Sequence, residues 1–395
     1  MLITNNFTNT AIIEMTRYTL LLLLLIVFKT EAQTSVLNMA DSLYANGNYT
    51  KAIENYKTYK NQSEVYDKIA KAYIAIGNYD EALKNYKAGI QEKPNDALIK
   101  YHYAKLLAQT KKNEEASKIF NDLILIDHKN PNYHYELGLV LEKVKDSTAI
   151  NCFRSVYEID QTHQKAIYKI AKYYLQKRKH QLVEKYADEG LKVYENNVKL
   201  ISLKAQNYYW QHYYRKAATW FEKLIELGES SEFIHEKLSY CYYYKFEFEK
   251  AIEQRKLVLK YNKNDAASLY AIGTYYYELN DFVNAEKYVK QFLAAKDLPL
   301  DAEYSKLATI LNRQKKYDES IETLKKAIKE NPDNISTHFR LLITKDAYYA
   351  DLDTKLELFT NFKKKFPSGF HGEYIDKRIS ELKKEKFVKA GVKAD

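Results

Sequence analysis

Two columns of small residues recur through this 395-residue chain at almost constant spacing, and no other feature restricts its fold so strongly. The first column is Ala40, Ala70, Ala104, Gly138, Ala171, Ala205, Ser239, Gly273 and Ala308, with gaps of 30, 34, 34, 33, 34, 34, 34 and 35. The second is Ala52, Ala82, Ala116, Ala149, Val183, Ala217, Ala251, Ala285 and Ser320, with gaps of 30, 34, 33, 34, 34, 34, 34 and 35. Small residues at fixed points of paired helices let two backbones approach closely while larger neighbours interdigitate around them. Two columns in one period therefore predict a stack of like units, none of which can cover its own apolar side.

The unit is clearest from Ser63 to Asp96. Tyr66, Ile69, Ala70 and Tyr73 fall on one face of a first helix, and Tyr79, Ala82, Leu83 and Tyr86 on one face of a second. Gly77-Asn78 between them supplies the left-handed helix end, and Pro94 stops the second helix. Aromatic residues follow the expected turns at Tyr49, Tyr79, Tyr214, Phe248, Phe282 and Tyr317, and recur along the second helices at Tyr56, Tyr86, Phe120, Phe153 and Phe221. Turn residues suited to a left-handed end are visible at Gly47, Gly77 and Asn280 only. The scarcity of Gly (10) and Pro (5) argues against an all-β chain.

Tyr66, Ile69-Ala70, Tyr73, Gly77, Tyr79, Ala82, Tyr86 and Pro94 in this order resemble the tetratricopeptide repeat, whose period is 34 residues. The resemblance recurs in phase over residues 33–334 as nine copies. It departs in copy four, one residue short between Gly138 and Ala149, and in copy five, where Val183 replaces Ala. It implies an all-α fold, a right-handed superhelical solenoid of about nine helix-turn-helix hairpins with a C-terminal capping helix. Residues 335–395 are expected to hold a degenerate repeat and that cap. There, Asp351 to Lys365 is helical, residues 366–369 break it, and Gly372 to Phe387 forms a last helix with Tyr374, Ile375, Ile379 and Leu382 inward. The run from Leu358 to Lys384 resembles terminal repeats of tetratricopeptide proteins of bacterial envelope assembly.

The first 32 residues differ in kind. Leu20 to Phe28 is unbroken apolar sequence, preceded by Arg17 and followed by Thr30-Glu31-Ala32-Gln33. Nine residues rise only about 14 Å as a helix, against roughly 30 Å for a hydrocarbon core. The pattern is that of a secretory signal peptide with cleavage after Ala32 and Met15 as a plausible true start. The expected location is the periplasm or cell envelope of a Gram-negative bacterium, with membrane contact only through that segment before cleavage. The net charge of +10 is spread as Lys over nearly every helix, which reads as a solvated surface, and no nucleic-acid partner is expected. Cys152 and Cys241 lie several helices apart and are expected to be unpaired thiols.

No metal-ligand spacing, phosphate loop or nucleophile elbow occurs, so neither cofactor nor metal nor catalytic residue is assigned. The resemblance places the inward positions of each first helix three before, and one, four and five after, the small residue. There the chain sets Tyr101, Tyr135 and Tyr168 in copies three to five, and Tyr209, Trp210, Tyr240, Tyr243, Tyr244, Tyr270 and Tyr277 in copies six to eight, with Lys105 and Lys172 beside them. Tyr offers large contact area at small entropic cost and a hydroxyl to bond. The expected function is a non-catalytic scaffold or adaptor taking a peptide or helix of a protein partner in a Tyr-rich groove. The alternative is a carbohydrate, peptidoglycan or anionic-polymer binding module using the same aromatic and basic groove. Against both stands the possibility that these rings only pack between neighbouring first helices, as Tyr208, Tyr242 and Tyr276 are expected to do.

Overall fold

A computed structural model describes residues 35–295, 300–367 and 371–391, and these contain helices and turns without any strand. The expected signal peptide lies outside the described residues. No helix among those described is long and apolar enough to cross a membrane.

The chain divides into two compact units, one running to Leu182 with Asp188–Val193, the other formed by Val183–Ala187 and Tyr194 onward. The first unit opens with helix α1 (35–45) and α2 (Tyr49–Thr58), then a short 3-10 turn, Gln62–Glu64. The hairpins α3 (Tyr66–Ala75) with α4 (Tyr79–Glu92), α5 (Ala97–Gln109) with α6 (Asn113–Ile126), and α7 (Pro131–Lys143) with α8 (Ala149–Ile159) follow, then α9 (Gln164–Gln176). Helix α10 (His180–Val193) contributes residues to both units. The second unit carries the hairpins α11 (Val198–Trp210) with α12 (Tyr214–Glu226), α13 (Glu232–Tyr244) with α14 (Phe248–Tyr261), α15 (Ala266–Glu278) with α16 (Phe282–Ala294), and α17 (Asp301–Arg313) with α18 (Tyr317–Glu330). It ends in α19 (Ile335–Tyr348), α20 (Leu352–Lys365) and α21 (Gly372–Gly391). From α2 to α9 in the first unit, and from α11 to α21 in the second, each helix packs on the next in sequence.

The small-residue columns are the seams of these hairpins. All eighteen positions are buried. Where a column residue is Ser, its hydroxyl donates across the seam: Ser239 Oγ to the Ala251 carbonyl at 2.8 Å, and Ser320 Oγ to the Ala308 carbonyl at 3.0 Å. Each bond joins the two columns of one hairpin, so the hydroxyl is satisfied in a dry place. At Gly273 the approach is close, since a Cβ there would lie 2.7 Å from Val289 Cγ2 and 3.2 Å from the Val289 nitrogen; at Gly138 it would lie 2.7 Å from Phe153 Cε1. The second-helix rings Tyr56, Tyr86, Phe120, Phe153 and Phe221 are buried beside the seams.

The turns hold a third column that the sequence hides. One residue in each inter-helix turn of the nine hairpins has positive φ: Gly47, Gly77, Lys111, Lys145, Arg178, His212, Phe246, Asn280 and Lys315. The next residue's N–H then bonds a carbonyl near the end of the first helix, as Lys112 N to Leu107 O at 2.8 Å and Lys316 N to Leu311 O at 3.0 Å. This is the Schellman closure, and it forms whether or not Gly supplies the left-handed residue. Only three such turns are evident from residue type, because the others place Lys, Arg, His or Phe there.

A fourth column caps the first helices. The side chains of Asp96, Asn130, His163, Asn197, Ser231, Asp265 and Asn334 each accept a bond from a backbone N–H of the first turn. These bonds serve donors that have no partner inside the helix.

At the C-terminal end, Ile375 and Leu382 are buried with Leu342 and Phe359, and Ile379 packs against them. Tyr374 does not join them: it is 46% exposed, against the inward position expected for it, with its ring edge-on to Phe339 at 5.7 Å. Cys152 is half-buried, Cys241 is buried, and both thiols are free.

Candidate functional site: an aromatic face on the second unit

The first helices of the second unit carry a continuous run of rings. It begins on α11, where Tyr209 meets Trp210 edge-on at 5.5 Å and Tyr240 of α13 at 5.8 Å. Tyr240 lies 4.8 Å from Tyr244, one turn along the same helix, and their hydroxyls are 3.1 Å apart. Tyr244 stacks on Tyr214 of α12 at 4.4 Å and meets Tyr243 edge-on at 5.2 Å. Tyr243 stacks in turn on Tyr275 of α15 at 5.0 Å. Three consecutive hairpins are thus tied by aromatic contacts of the offset and edge-to-face kinds that rings prefer.

Exposure separates the members of this run. Trp210 is 56% and Tyr244 46% exposed, whereas Tyr209, Tyr240 and Tyr243 are half-buried. Tyr270 packs on Phe292 at 5.0 Å, and Tyr277 meets Phe282 at 5.8 Å. The Lys306 ammonium sits 3.8 Å above the Tyr277 ring, where burial pulls its pKa below the ordinary Lys value. Lys237 lies 5.3 Å above Tyr209. These ammonium groups rest on the negative faces of the rings.

Two hydroxyls titrate far above a free tyrosine. Tyr209 is pushed up to about 12, chiefly by burial. Tyr240 is raised further, first by its bond to Tyr244 and then by burial. Both hydroxyls are neutral at any physiological pH, and that of Tyr240 shares a hydrogen bond with Tyr244 in which either can donate.

The equivalent positions of the first unit are tied up more tightly. The Tyr101 ring packs on Phe120 at 6.2 Å and Tyr133 at 5.8 Å, and its hydroxyl donates to Glu136 at 3.3 Å. Lys105 is paired with the same carboxylate at 2.9 Å. Tyr135 packs on Phe153 at 5.7 Å and His163 at 5.2 Å, each in the next elements of the stack. Tyr168 is half-buried. Lys172 lines a separate cleft of about 160 Å³ with Phe153, Lys169 and Tyr173.

Of the tyrosines expected in the core, Tyr208 and Tyr242 are buried. Tyr276 is not: it is half-buried, its hydroxyl accepts from Lys256 Nζ at 3.1 Å, and its ring stacks on Tyr288 at 5.7 Å. Tyr275 takes the core place instead, at 4% exposure. Beyond copy eight the same register turns polar. Ser305 meets Thr337 at 3.3 Å, Thr309 accepts from Arg340 at 2.8 Å, and Asn312 donates to Thr344 at 2.8 Å. The aromatic face is therefore bounded to α11, α13 and α15. Tyr214, which stacks on exposed Tyr244 and meets Tyr209 and Tyr240 at 6.0 and 5.7 Å, is not among the inward positions, because it begins a second helix. No group of three or more His, Cys, Asp or Glu side chains that could hold a metal occurs among the described residues.

Comparison with known proteins agrees with this architecture. Family models described as the tetratricopeptide repeat match residues 73–137 and residues 270–335. The chain carries tetratricopeptide repeats. Among solved structures it is similar to a tetratricopeptide repeat protein from Parabacteroides merdae, at 15% identity over 72% of this chain and 99% of that one, with a TM-score of 0.43. It is also similar to YrrB, described as a TPR protein with an unusual peptide-binding site, at 15% identity over 49% of this chain and 97% of that one, with a TM-score of 0.44. Yeast Tom70 aligns at 13% identity over 91% of this chain and 97% of that one, with a TM-score of 0.35. No curated protein sequence matches. Each matched stretch of the tetratricopeptide repeats spans about two copies, and the second includes Tyr270, Tyr275 and Tyr277 of the aromatic face.

Proposed function

We propose that this protein is a non-catalytic scaffold of the bacterial cell envelope that holds a peptide or helix of a partner protein against the aromatic face of α11, α13 and α15. The observation that carries this reading is the linked run of rings along which Trp210 and Tyr244 are left 56% and 46% exposed. Large exposed aromatics held rigid by buried neighbours are the usual anchors of protein interfaces. The tetratricopeptide repeat supports the general role, since such repeats mediate protein and peptide interactions. Location in the envelope of a Gram-negative bacterium rests on the signal-like segment before Ala32, and N-terminal sequencing of the protein from fractionated cells tests it.

The binding reading is tested by changing Trp210 and Tyr244 together to Ser. Both side chains are exposed, so the thermal midpoint should stay within a few degrees of the parent while partner capture falls by tenfold or more. Retention of capture by a folded double variant would remove the aromatic face from consideration.

A further inference from the structure

The turns of copies six and seven differ from the rest in what they place at the left-handed position. Elsewhere it is Gly, Asn, Lys or Arg; here it is His212 and Phe246, each with φ 62°. A large side chain is disfavoured in that conformation. Phe246 nevertheless stands 79% exposed, with one edge contact to Phe248 at 6.1 Å. Tyr213, beside His212, is 55% exposed.

Between these turns lies an open pocket of about 400 Å³, lined by His212, Tyr213, Tyr214, Arg215, Lys216 and Tyr244. The stacked Tyr214 and Tyr244 rings form an apolar wall, and no carboxylate lines it. Lys216 Nζ lies over the Tyr208 and Tyr213 rings, at 5.1 and 5.8 Å. Glu247, on the neighbouring turn, is held by Lys245 at 3.0 Å and Lys250 at 2.9 Å.

Helix α12 sharpens the imbalance. Helices α4, α6, α14 and α18 place carboxylates in their first turns, where the helix dipole favours them, whereas α2, α8, α10, α12 and α16 have none there. In α12 that turn has no acid and carries Arg215 and Lys216, and the N-cap Tyr213 makes no side-chain capping bond. Two cations at the positive end of a helix, uncapped and facing an aromatic pocket, complement an anionic ligand.

We propose that this pocket receives an acidic segment of a partner protein, with an apolar or aromatic side chain against Tyr214, Tyr244 and Phe246 and flanking carboxylates on Arg215 and Lys216. The proposal rests on the protein-binding reading above and names the chemistry of the partner. A flat anionic lipid surface fits less well, because the next turn of the same unit carries Glu278 and Asp281 and would set carboxylates against the headgroups.

The probe is a short fluorescein-labelled peptide with one Phe flanked by Glu and Asp, set against the same peptide with Gln and Asn in their place. Anisotropy is read on the full chain at low and physiological salt, alongside co-sedimentation with phosphatidylglycerol vesicles. The acidic peptide should bind, more weakly as salt rises, and tenfold or more tighter than the amide version. Arg215→Glu with Lys216→Glu should cost tenfold or more, Phe246→Ser at least threefold, and the control Lys260→Glu with Lys263→Glu, of equal charge change, less than twofold. All variants should keep the parental melting curve; a variant that melts early is replaced by the Gln substitutions at the same sites. No binding of the acidic peptide, equal binding of the amide peptide, equal loss in the control, or vesicle binding alone that depends on Arg215 and Lys216 would each overturn the proposal. If crosslinking of a partner from Tyr244 survives Arg215→Glu with Lys216→Glu, the acidic chemistry falls and the protein-binding reading stands.

Discussion

Gly273 shows how little room a hairpin seam leaves. A methyl group there would press on Val289 Cγ2 at 2.7 Å and on backbone 3.2 Å away, and backbone does not give cheaply. Gly273→Ala should cost about 1–3 kcal/mol, measured as an earlier midpoint in urea with helical content unchanged below it. The turn residue Lys111 argues the opposite sign. Its φ of 65° costs an L-residue about 1–2 kcal/mol, while Gly adds about 0.5–1 kcal/mol of unfolded-chain entropy. Lys111→Gly should therefore stabilise by about 0.5–1 kcal/mol, read as a later midpoint in the same titration. The two substitutions explain what residue type reveals. A seam must exclude side chains, so it selects Ala, Gly and Ser and is legible as a column. A left-handed turn closed by backbone bonds tolerates Lys, Arg, His or Phe at a cost, so it leaves no compositional trace. The capping column was legible in principle, since Asp96, Asn130, Asn197, Ser231, Asp265 and Asn334 are good caps in phase, but such residues are common enough in loops to hide it.

At the scale of helices, neighbouring copies are joined by polar hubs as well as by seams. Glu286 on α16 accepts from Lys290 at 2.6 Å, from Lys316 at 2.9 Å and from Gln314 at 2.8 Å. Burial alone would raise its pKa; the three donors outweigh burial and hold it at about 2, against 4.5 for the free group. The folded pKa is below the unfolded one, so the stabilisation is fully present above about pH 4.5 and is lost as pH falls toward 2. Allowing for solvent screening of Lys290 and Lys316, it amounts to about 1–2 kcal/mol. Glu286→Gln should lower stability by about that much at neutral pH and flatten the loss between pH 4.5 and 2, as urea midpoints across that range would show. Helix faces also mark the limit of what the sequence could say of the site. Its register is readable, because position in the repeat decides which residues share a face. Exposure is not, because it depends on rings one copy away: Tyr243 is covered by Tyr275, and Tyr244 is held by Tyr214 from a second helix.

For the whole molecule, a chain of near-identical hairpins distributes its stability along its length, and local opening need not be global. The two thiols report on this separately. Burial pushes the Cys241 thiol up to about 12 and raises that of half-buried Cys152 more mildly. Both should resist alkylation at pH 8 in the native protein, Cys241 the more strongly, and Gly273→Ala should speed labelling of Cys241, which shares its unit, more than that of Cys152. Equal acceleration at both sites would mean that the chain opens as one cooperative body. The repeat architecture followed from spacing alone; the binding role rests on where the copies depart from one another, in the aromatic loading of α11, α13 and α15. The most direct test places a photo-crosslinking amino acid at Tyr244 or, as a control, at exposed Glu253 on α14, in cells that make the protein at its natural level. A discrete protein adduct from Tyr244, absent from Glu253 and lost when Trp210 is changed to Ser, is the predicted result. Identical adducts from both positions, or none from Tyr244, would contradict the account.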